Sequence, residues 1–182
     1  MIDKKRIQEL TKEFLLAIGE DPEREGLIDT PKRVAEMCDE LLNPERANMK
    51  YTVFDSANYG GIVLVRDIEF SSVCEHHLMP FIGKAHVAYI PAQEVIGISK
   101  LARIVDKHAK SLQLQERLAK EILEDIQSSL KPKGIAVYLE AKHLCMNIRG
   151  VTKRNASTVT AVFSGEFEDI GMQQTFMNLI KQ

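Results

Sequence analysis

Gly134-Ile135-Ala136-Val137-Tyr138-Leu139-Glu140-Ala141-Lys142-His143-Leu144-Cys145-Met146 carries the clearest signal of the fold class. In an extended chain, successive side chains point to opposite faces. Ile135, Val137, Leu139, Ala141, His143 and Cys145 therefore share one face, and Ala136, Tyr138, Glu140, Lys142, Leu144 and Met146 share the other. A core-facing strand is predicted, with His143 and Cys145 pointing the same way.

Upstream of this strand the period changes from two to between three and four. Leu118, Ile122, Ile126 and Leu130 predict a helix over Gln115–Leu130, and Leu101, Ile104, Val105 and His108 another over Ser99–Ala109. Lys131-Pro132-Lys133-Gly134 closes the helical pair. Further back, Ile62–Val65 with Ile68–Phe70 and then Gly83–Pro91 have the β-branched and aromatic content of strands, and Cys74-Glu75-His76-His77 lies between them. Residues 47–61 look irregular, with Tyr59-Gly60-Gly61 as a turn signal. Thr158–Phe167 reads as a last strand and the segment from about Met172 to Ile180 as a last helix.

The N-terminal part is helical. Ile7, Leu10, Phe14 and Ile18 recur on one face of a helix from Lys4 to Ile18. Thr30-Pro31 reads as an N-cap followed by proline at the first helical position, and Val34, Met37 and Leu41 form the expected buried stripe. Cys38 lies beside that stripe as a packing residue. Strands in hairpin-like succession around a helical pair predict an α+β fold with a mainly antiparallel sheet, not a doubly wound βαβ fold. The expected division is a helical region over 1–46 and the main domain over 47–182.

The chain of 182 residues is 45% hydrophobic and 27% charged, the balance of an ordered globular protein. A net charge of -2 supplies no basic field for nucleic acid, so any anion site is local. No apolar run approaches the roughly 18 residues of a membrane span, and Met1-Ile2-Asp3-Lys4-Lys5-Arg6 leads into an amphipathic stretch and not a secretory signal. A cytoplasmic protein is expected. Three cysteines argue against a disulfide framework and leave metal binding or packing as their roles.

Thiolate sulfur and imidazole nitrogen are zinc's preferred donors, and a catalytic zinc has three protein ligands. Cys74 and His77 stand at C-x-x-H spacing, and Cys145 supplies a third donor from the alternating strand. A closed structural site takes four, and His76 or His143 can furnish the fourth, so the residues alone leave both arrangements open. Three of the five histidines lie within three residues of Cys74 or Cys145. His76 and His143 thus stand where an acid or base near neutral pKa reaches a molecule held at the metal. His86 in a strand and His108 on a helix read as hydrogen-bonded packing or surface residues.

Ser99-Lys100-Leu101-Ala102-Arg103 opens a helix, where free N–H groups and two cations one turn apart either meet an anion or decorate a solvated face. Arg149 adds a cation after Cys145. Glu116 opens the next helix, either as a first-turn acid or as an acceptor for two N–H donors of a guanine edge.

The motifs Cys74-Glu75-His76-His77, Gly83 to Pro91, Val95 to Arg103, Gln115-Glu116-Arg117-Leu118, and His143-Leu144-Cys145-Met146 through Arg149-Gly150 closely resemble, in order and spacing, those of GTP cyclohydrolase I. The resemblance runs from about Asp29 to Phe167. It implies the tunnelling fold and a zinc ion on Cys74, His77 and Cys145, with water attacking C8 of the purine of GTP. It further implies His143 as proton shuttle and His76 as donor toward N7. Glu116 with Gln115 resembles the guanine-reading pair, and Ser99, Lys100, Arg103 and Arg149 the triphosphate grip. The implied products are formate and 7,8-dihydroneopterin triphosphate, in the first step of tetrahydrofolate and pterin synthesis. The implied assembly is a homodecamer of two pentamers with sites between subunits. A non-catalytic zinc-stabilised scaffold, and a tunnelling-fold enzyme acting on another pterin or deazapurine, are the competing readings. One departure stands out: Glu36 occupies a place where members often carry a basic residue, which predicts a weaker hold on the phosphates.

Overall fold

In the computed structural model, which describes residues 2–47 and 50–181, two helices come first, α1 (Lys4–Ala17) and α2 (Thr30–Leu41). A 3-10 turn (Pro44–Ala47), β1 (Val53–Asp55), β2 (Val63–Cys74), β3 (Pro80–Ile90) and β4 (Glu94–Ile96) follow. Then come α3 (Ile98–Ala109), β5 (Leu112–Gln113), α4 (Gln115–Leu130), β6 (Gly134–His143) and the single turn α5 (Leu144–Asn147). The chain ends with β7 (Thr158–Gly165), a 3-10 turn (Glu166–Glu168) and α6 (Ile170–Ile180).

The main sheet has the order β5-β2-β3-β6-β7. Its four long strands are antiparallel, and β5 adds two parallel pairs at the end of β2. Ile68, Phe70, Ala85, Val87, Tyr89, Ile135, Val137 and Leu139 form one face of this sheet and pack against Leu101, Ile104 and Val105 of α3 and Leu118, Ile122 and Ile126 of α4. Truncating one of these fully buried isoleucines or leucines to alanine costs about 2–5 kcal/mol. The other face buries Ala88, Ile90 and Ala136 under Phe167 and Phe176 of the C-terminal segment. At the β3–β6 pairing, Gly83 lies opposite Ala141. A Cβ at Gly83 would stand 2.0 Å from the carbonyl oxygen of Glu140, so only glycine permits that approach.

The expected α+β class, antiparallel sheet, helical pair and N-terminal helices are all present. Several local expectations are corrected. The strand alternation stops at His143, and Cys145 lies in α5 instead of on the strand face. The physical reason is the partner: the last β3–β6 pair is Phe81 with His143, next to Pro80 where β3 begins, so no ladder remains to hold Leu144 and Cys145 extended. Instead the Ile148 N–H bonds the Leu144 carbonyl.

The two short strands expected at 62–70 are one continuous β2 with a bulge between Val65 and Ile68. Asp67 adopts positive φ there, and its N–H donates to His86 Nδ1 at 3.3 Å. The stretch read as irregular contains β1, which pairs with β4; Asn48 and Met49 of that stretch lie outside the described residues. Three residues are too few for alternation to register, which also hid β5. Lys131 takes the left-handed position that ends α4, directly before Pro132. Asp29, not Thr30, is the residue that precedes α2.

The stripe expected to be buried in α2 is only partly so: Val34 and Leu41 are half-buried and Met37 is exposed. Leu15, Pro31 and Ala35 are the buried residues of this helical hairpin, while Leu10, Phe14, Ile18 and Met37 face outward.

The helical pair is tied by charge as well as by packing. Asp125 of α4 accepts from Lys107 Nζ at 2.8 Å, His108 Nε2 at 2.8 Å, Ser129 Oγ at 3.3 Å and the Tyr51 hydroxyl. Burial alone pushes its carboxyl up, but the hydrogen bonds from Lys107, Tyr51 and His108 outweigh that and bring it down to about 2. A depressed carboxyl stabilises the fold above its unfolded pKa and loses that contribution as pH falls through the folded one. Asp125→Asn is therefore expected to lower the unfolding free energy at neutral pH by about 2 kcal/mol in a denaturant titration. The difference from the parent should close as pH falls from about 4 to about 2.

Candidate active site

Cys74 is the last residue of β2 and is buried. Its N–H donates to the Met79 carbonyl and its carbonyl accepts from the Leu78 N–H, so Cys74 to Met79 closes a tight turn into β3. Leu78 takes positive φ within it. This turn presents His77 beside Cys74, and α5 brings Cys145 to the same place from the end of β6. The candidate ligand atoms of Cys74, His77 and Cys145 all lie within 4.8 Å of one another. Burial pushes the Cys145 thiol up, and the neighbouring Cys74 adds to that; a bound cation would oppose both effects.

A brace holds this turn. Arg117, in the first turn of α4, donates through Nη2 to Glu75 Oε2 at 2.6 Å and to the Leu112 carbonyl at 2.7 Å. Its Nε donates to Gln113 Oε1 at 3.0 Å. Gln113 is buried and donates in turn to Glu121 Oε2 and to the His108 carbonyl. The Glu75 N–H closes the set on the Gln113 carbonyl. Nothing in the sequence marks Arg117 for this task, because Glu75 meets it only through the fold.

His143 lies flat on Phe81, with ring centroids 4.6 Å apart and planes at 3°. Its Nε2 meets Gln115 Oε1 at 2.8 Å. Burial pushes the imidazole pKa down, and the negative charge of Glu116 opposes this. His76 is well exposed, 63% for its side chain, with Nε2 4.0 Å from Glu75. Glu116 is exposed in the first turn of α4, whose N-terminus has no side-chain cap. Gln115 is buried, and its amide nitrogen meets the Leu139 carbonyl, the Thr158 carbonyl and Thr160 Oγ1.

The cations divide into two places. Arg149 follows α5 and is exposed near the cysteines in sequence. Ser99, Lys100 and Arg103 lie at the start of α3, while the end of α3 is the part that touches the metal end of the sheet, where the Ala109 carbonyl accepts from Ser72. At 1.5 Å per residue, Ser99 stands about 15 Å farther along the helix axis. No hydrogen bond or ion pair among the described residues joins Ser99, Lys100 or Arg103 to Cys74, His77, His143 or Cys145. His86 and His108 are engaged within the fold, by Asp67 and by Asp125.

The model of the family described as GTP cyclohydrolase I matches residues 7–181. The chain belongs to the GTP cyclohydrolase I family. GTP cyclohydrolase 1 of Sulfurihydrogenibium sp. is 50% identical over 182 residues, covering 99% of this chain and 96% of that one. GTP cyclohydrolase 1 of Acetivibrio thermocellus is 51% identical over 168 residues, 91% of this chain and 90% of that one. Among solved structures, the archaeosine synthase QueF-Like in the apo form has a TM-score of 0.47 at 21% identity, over 57% of this chain and 93% of that one. As a GTP cyclohydrolase I family member the chain is an enzyme. No helix of the described residues is long and apolar enough to cross a membrane.

The brace through Arg117 would bear on retention of any metal held by Cys74, His77 and Cys145. Outer partners of metal-holding residues typically affect affinity by 10–100-fold. Arg117→Met is expected to lower about tenfold the chelator concentration that strips half of the zinc from protein loaded with zinc beforehand. Unchanged retention would show that the turn holds its shape without the brace.

Proposed function

We propose that this chain is a zinc-dependent GTP cyclohydrolase I that hydrolyses the imidazole ring of GTP at C8. The observation that carries this reading is the convergence of Cys74, His77 and Cys145, two thiols and an imidazole from distant parts of the chain. That donor chemistry fits zinc, and three protein ligands is the number of a catalytic site, whereas a structural site takes four. Neither His76 nor His143 belongs to the group. When bound there, zinc supplies a water of lowered pKa and so a hydroxide near neutral pH.

The chain's own residues supply the rest. The Glu116 carboxylate accepts the N1–H and 2-amino hydrogens of guanine, which fixes the base in one orientation. His76, exposed beside His77, donates toward N7 and makes C8 more electrophilic. His143 takes and returns the protons of the hydrolysis and of imidazole-ring breakdown, held flat by Phe81. Ser99, Lys100, Arg103 and Arg149 grip the triphosphate, where several cations are needed against a tetra-anion. C8 leaves as formate, the ribose rearranges, and the ring recloses to 7,8-dihydroneopterin triphosphate, with net consumption of one water. The product suits the first step of tetrahydrofolate or pterin synthesis.

This reading places the active site between copies of the chain. The start of α3 lies away from the cysteines within one chain, so a neighbour's Ser99, Lys100 and Arg103 would complete the site. The sheet supports such assembly. β7, Thr158–Gly165, is an open edge without a charged residue, and β5 covers the opposite edge of β2 only at Val73 and Cys74. An open, uncharged edge such as β7 invites pairing with a further strand. A ring of copies, in the homodecamer of two pentamers expected for this family, would close both edges. Residues 47–182 would form the catalytic unit, with the helical hairpin of 1–46 as its extension.

Elemental analysis should find one zinc per chain, and incubation with GTP should release formate and, after oxidation, a fluorescent pterin. Cys145→Ala or chelation should abolish both the metal and the product. A protein that retains zinc but never turns over GTP would overturn the assignment. For the departure at residue 36, Glu36→Lys should lower the KM for GTP without raising kcat, and an unchanged KM would mean that Glu36 lies outside the reach of the phosphates.

A further inference from the structure

The amide of Gln115 has only one orientation that its surroundings accept. One of its two terminal atoms faces the carbonyl oxygens of Leu139 and Thr158, at 3.2 and 3.0 Å, together with Thr160 Oγ1 at 3.2 Å. Carbonyl oxygens only accept, so the atom facing them is the NH2 group. Turning the amide over would set its oxygen against the Leu139 and Thr158 carbonyl oxygens, which cannot donate, in a residue that is only 2% exposed; only the Thr160 hydroxyl could answer it. The oxygen of Gln115 therefore faces His143.

An amide oxygen carries no hydrogen, so in the 2.8 Å contact the proton belongs to His143 Nε2. The ring is further held by its stack on Phe81. No hydrogen bond from the described residues reaches Nδ1. We propose that Gln115 is a positioning residue that locks neutral His143 as the Nε2–H tautomer, leaving the Nδ1 lone pair as the atom that takes protons from the reacting molecule. The side chain of Gln115 then acts through His143, and Glu116 alone of the two neighbours offers a side chain to the guanine edge. The backbone supports this division: Gln115 begins α4 and its amide bridges β6 and β7, through Leu139 and Thr158, so its place is set by the sheet and not by a ligand.

This inference rests on the reading of His143 as the group that handles protons, and it can be separated from it. Full-length zinc-loaded protein labelled with 15N-histidine has only five histidines. Magic-angle-spinning 15N spectra at alkaline pH, where imidazoles are neutral, with His143→Asn to assign the signal, should give His143 as Nε2–H. A Nδ1–H signal, or a mixture, overturns the lock. In Gln115→Met the His143 signal should become mixed, and kcat should fall roughly 100-fold, the scale of a misplaced acid–base group. The KM for GTP should stay within about threefold of the parent. A guanine-reading Gln115 predicts the opposite: KM for GTP rises, and the preference for GTP over inosine triphosphate, which lacks the 2-amino group, collapses. Should the parent make no pterin from GTP, the functional reading fails, and the tautomer spectrum of the parent by itself decides the lock.

Discussion

The pairing of β3 with a strand on either side is the constraint on which the rest of the structure depends. β2 delivers Cys74 to the start of β3, and β6 delivers His143 to the same end, opposite Phe81. The register is held by burial: Val87, Ala88 and Tyr89 of β3 and Ile135, Ala136 and Val137 of β6 are all without exposed surface. A slip of one residue would turn every side chain of a strand to the other face. The two apolar layers, one under α3 and α4 and one under α6, thus fix where the thiols and the imidazole meet. The meeting of Cys74, His77 and Cys145 is a consequence of core packing.

At the site end the sheet is finished by polar side chains, each with its partners counted. Gln113 and Gln115 are buried and flank the start of α4, one tying the Cys74 turn to Arg117 and His108, the other tying His143 to β6 and β7. Buried amides without partners would cost about 1–3 kcal/mol each. With partners they leave few alternative arrangements, which suits groups that must hold their geometry while a substrate changes shape around them. Asp125 plays the same part next to this cluster, sharing His108 with Gln113 and joining α3, α4 and the segment before β1.

Much of this was legible beforehand. The helices α3 and α4 show their period over many residues, and the apolar face of β6 shows its own, because long elements repeat their pattern often enough to stand above chance. β1, β4 and β5 were hidden because two or three residues carry no period. Met37 of the α2 stripe is exposed for a different reason: amphipathic spacing identifies a helix, but not whether every residue of its apolar face meets the same chain. The metal donors were legible as residue types at a tight spacing, and the end of β6 was misread because its partner strand begins at a proline.

Residue types alone set the chemistry available: two thiols and an imidazole suited to zinc, an acid at a helix start, cations able to meet an anion, and motifs whose order marks the family. Local composition suffices for this, since donor softness and charge belong to the side chains themselves. Only the tertiary structure decided that Cys74, His77 and Cys145 converge, that Arg117 braces their turn, that Gln115 turns its oxygen to His143, and that the start of α3 lies apart from them. Those relations depend on strand register and on which buried acceptors surround a given donor, quantities that exist only once distant segments are packed together.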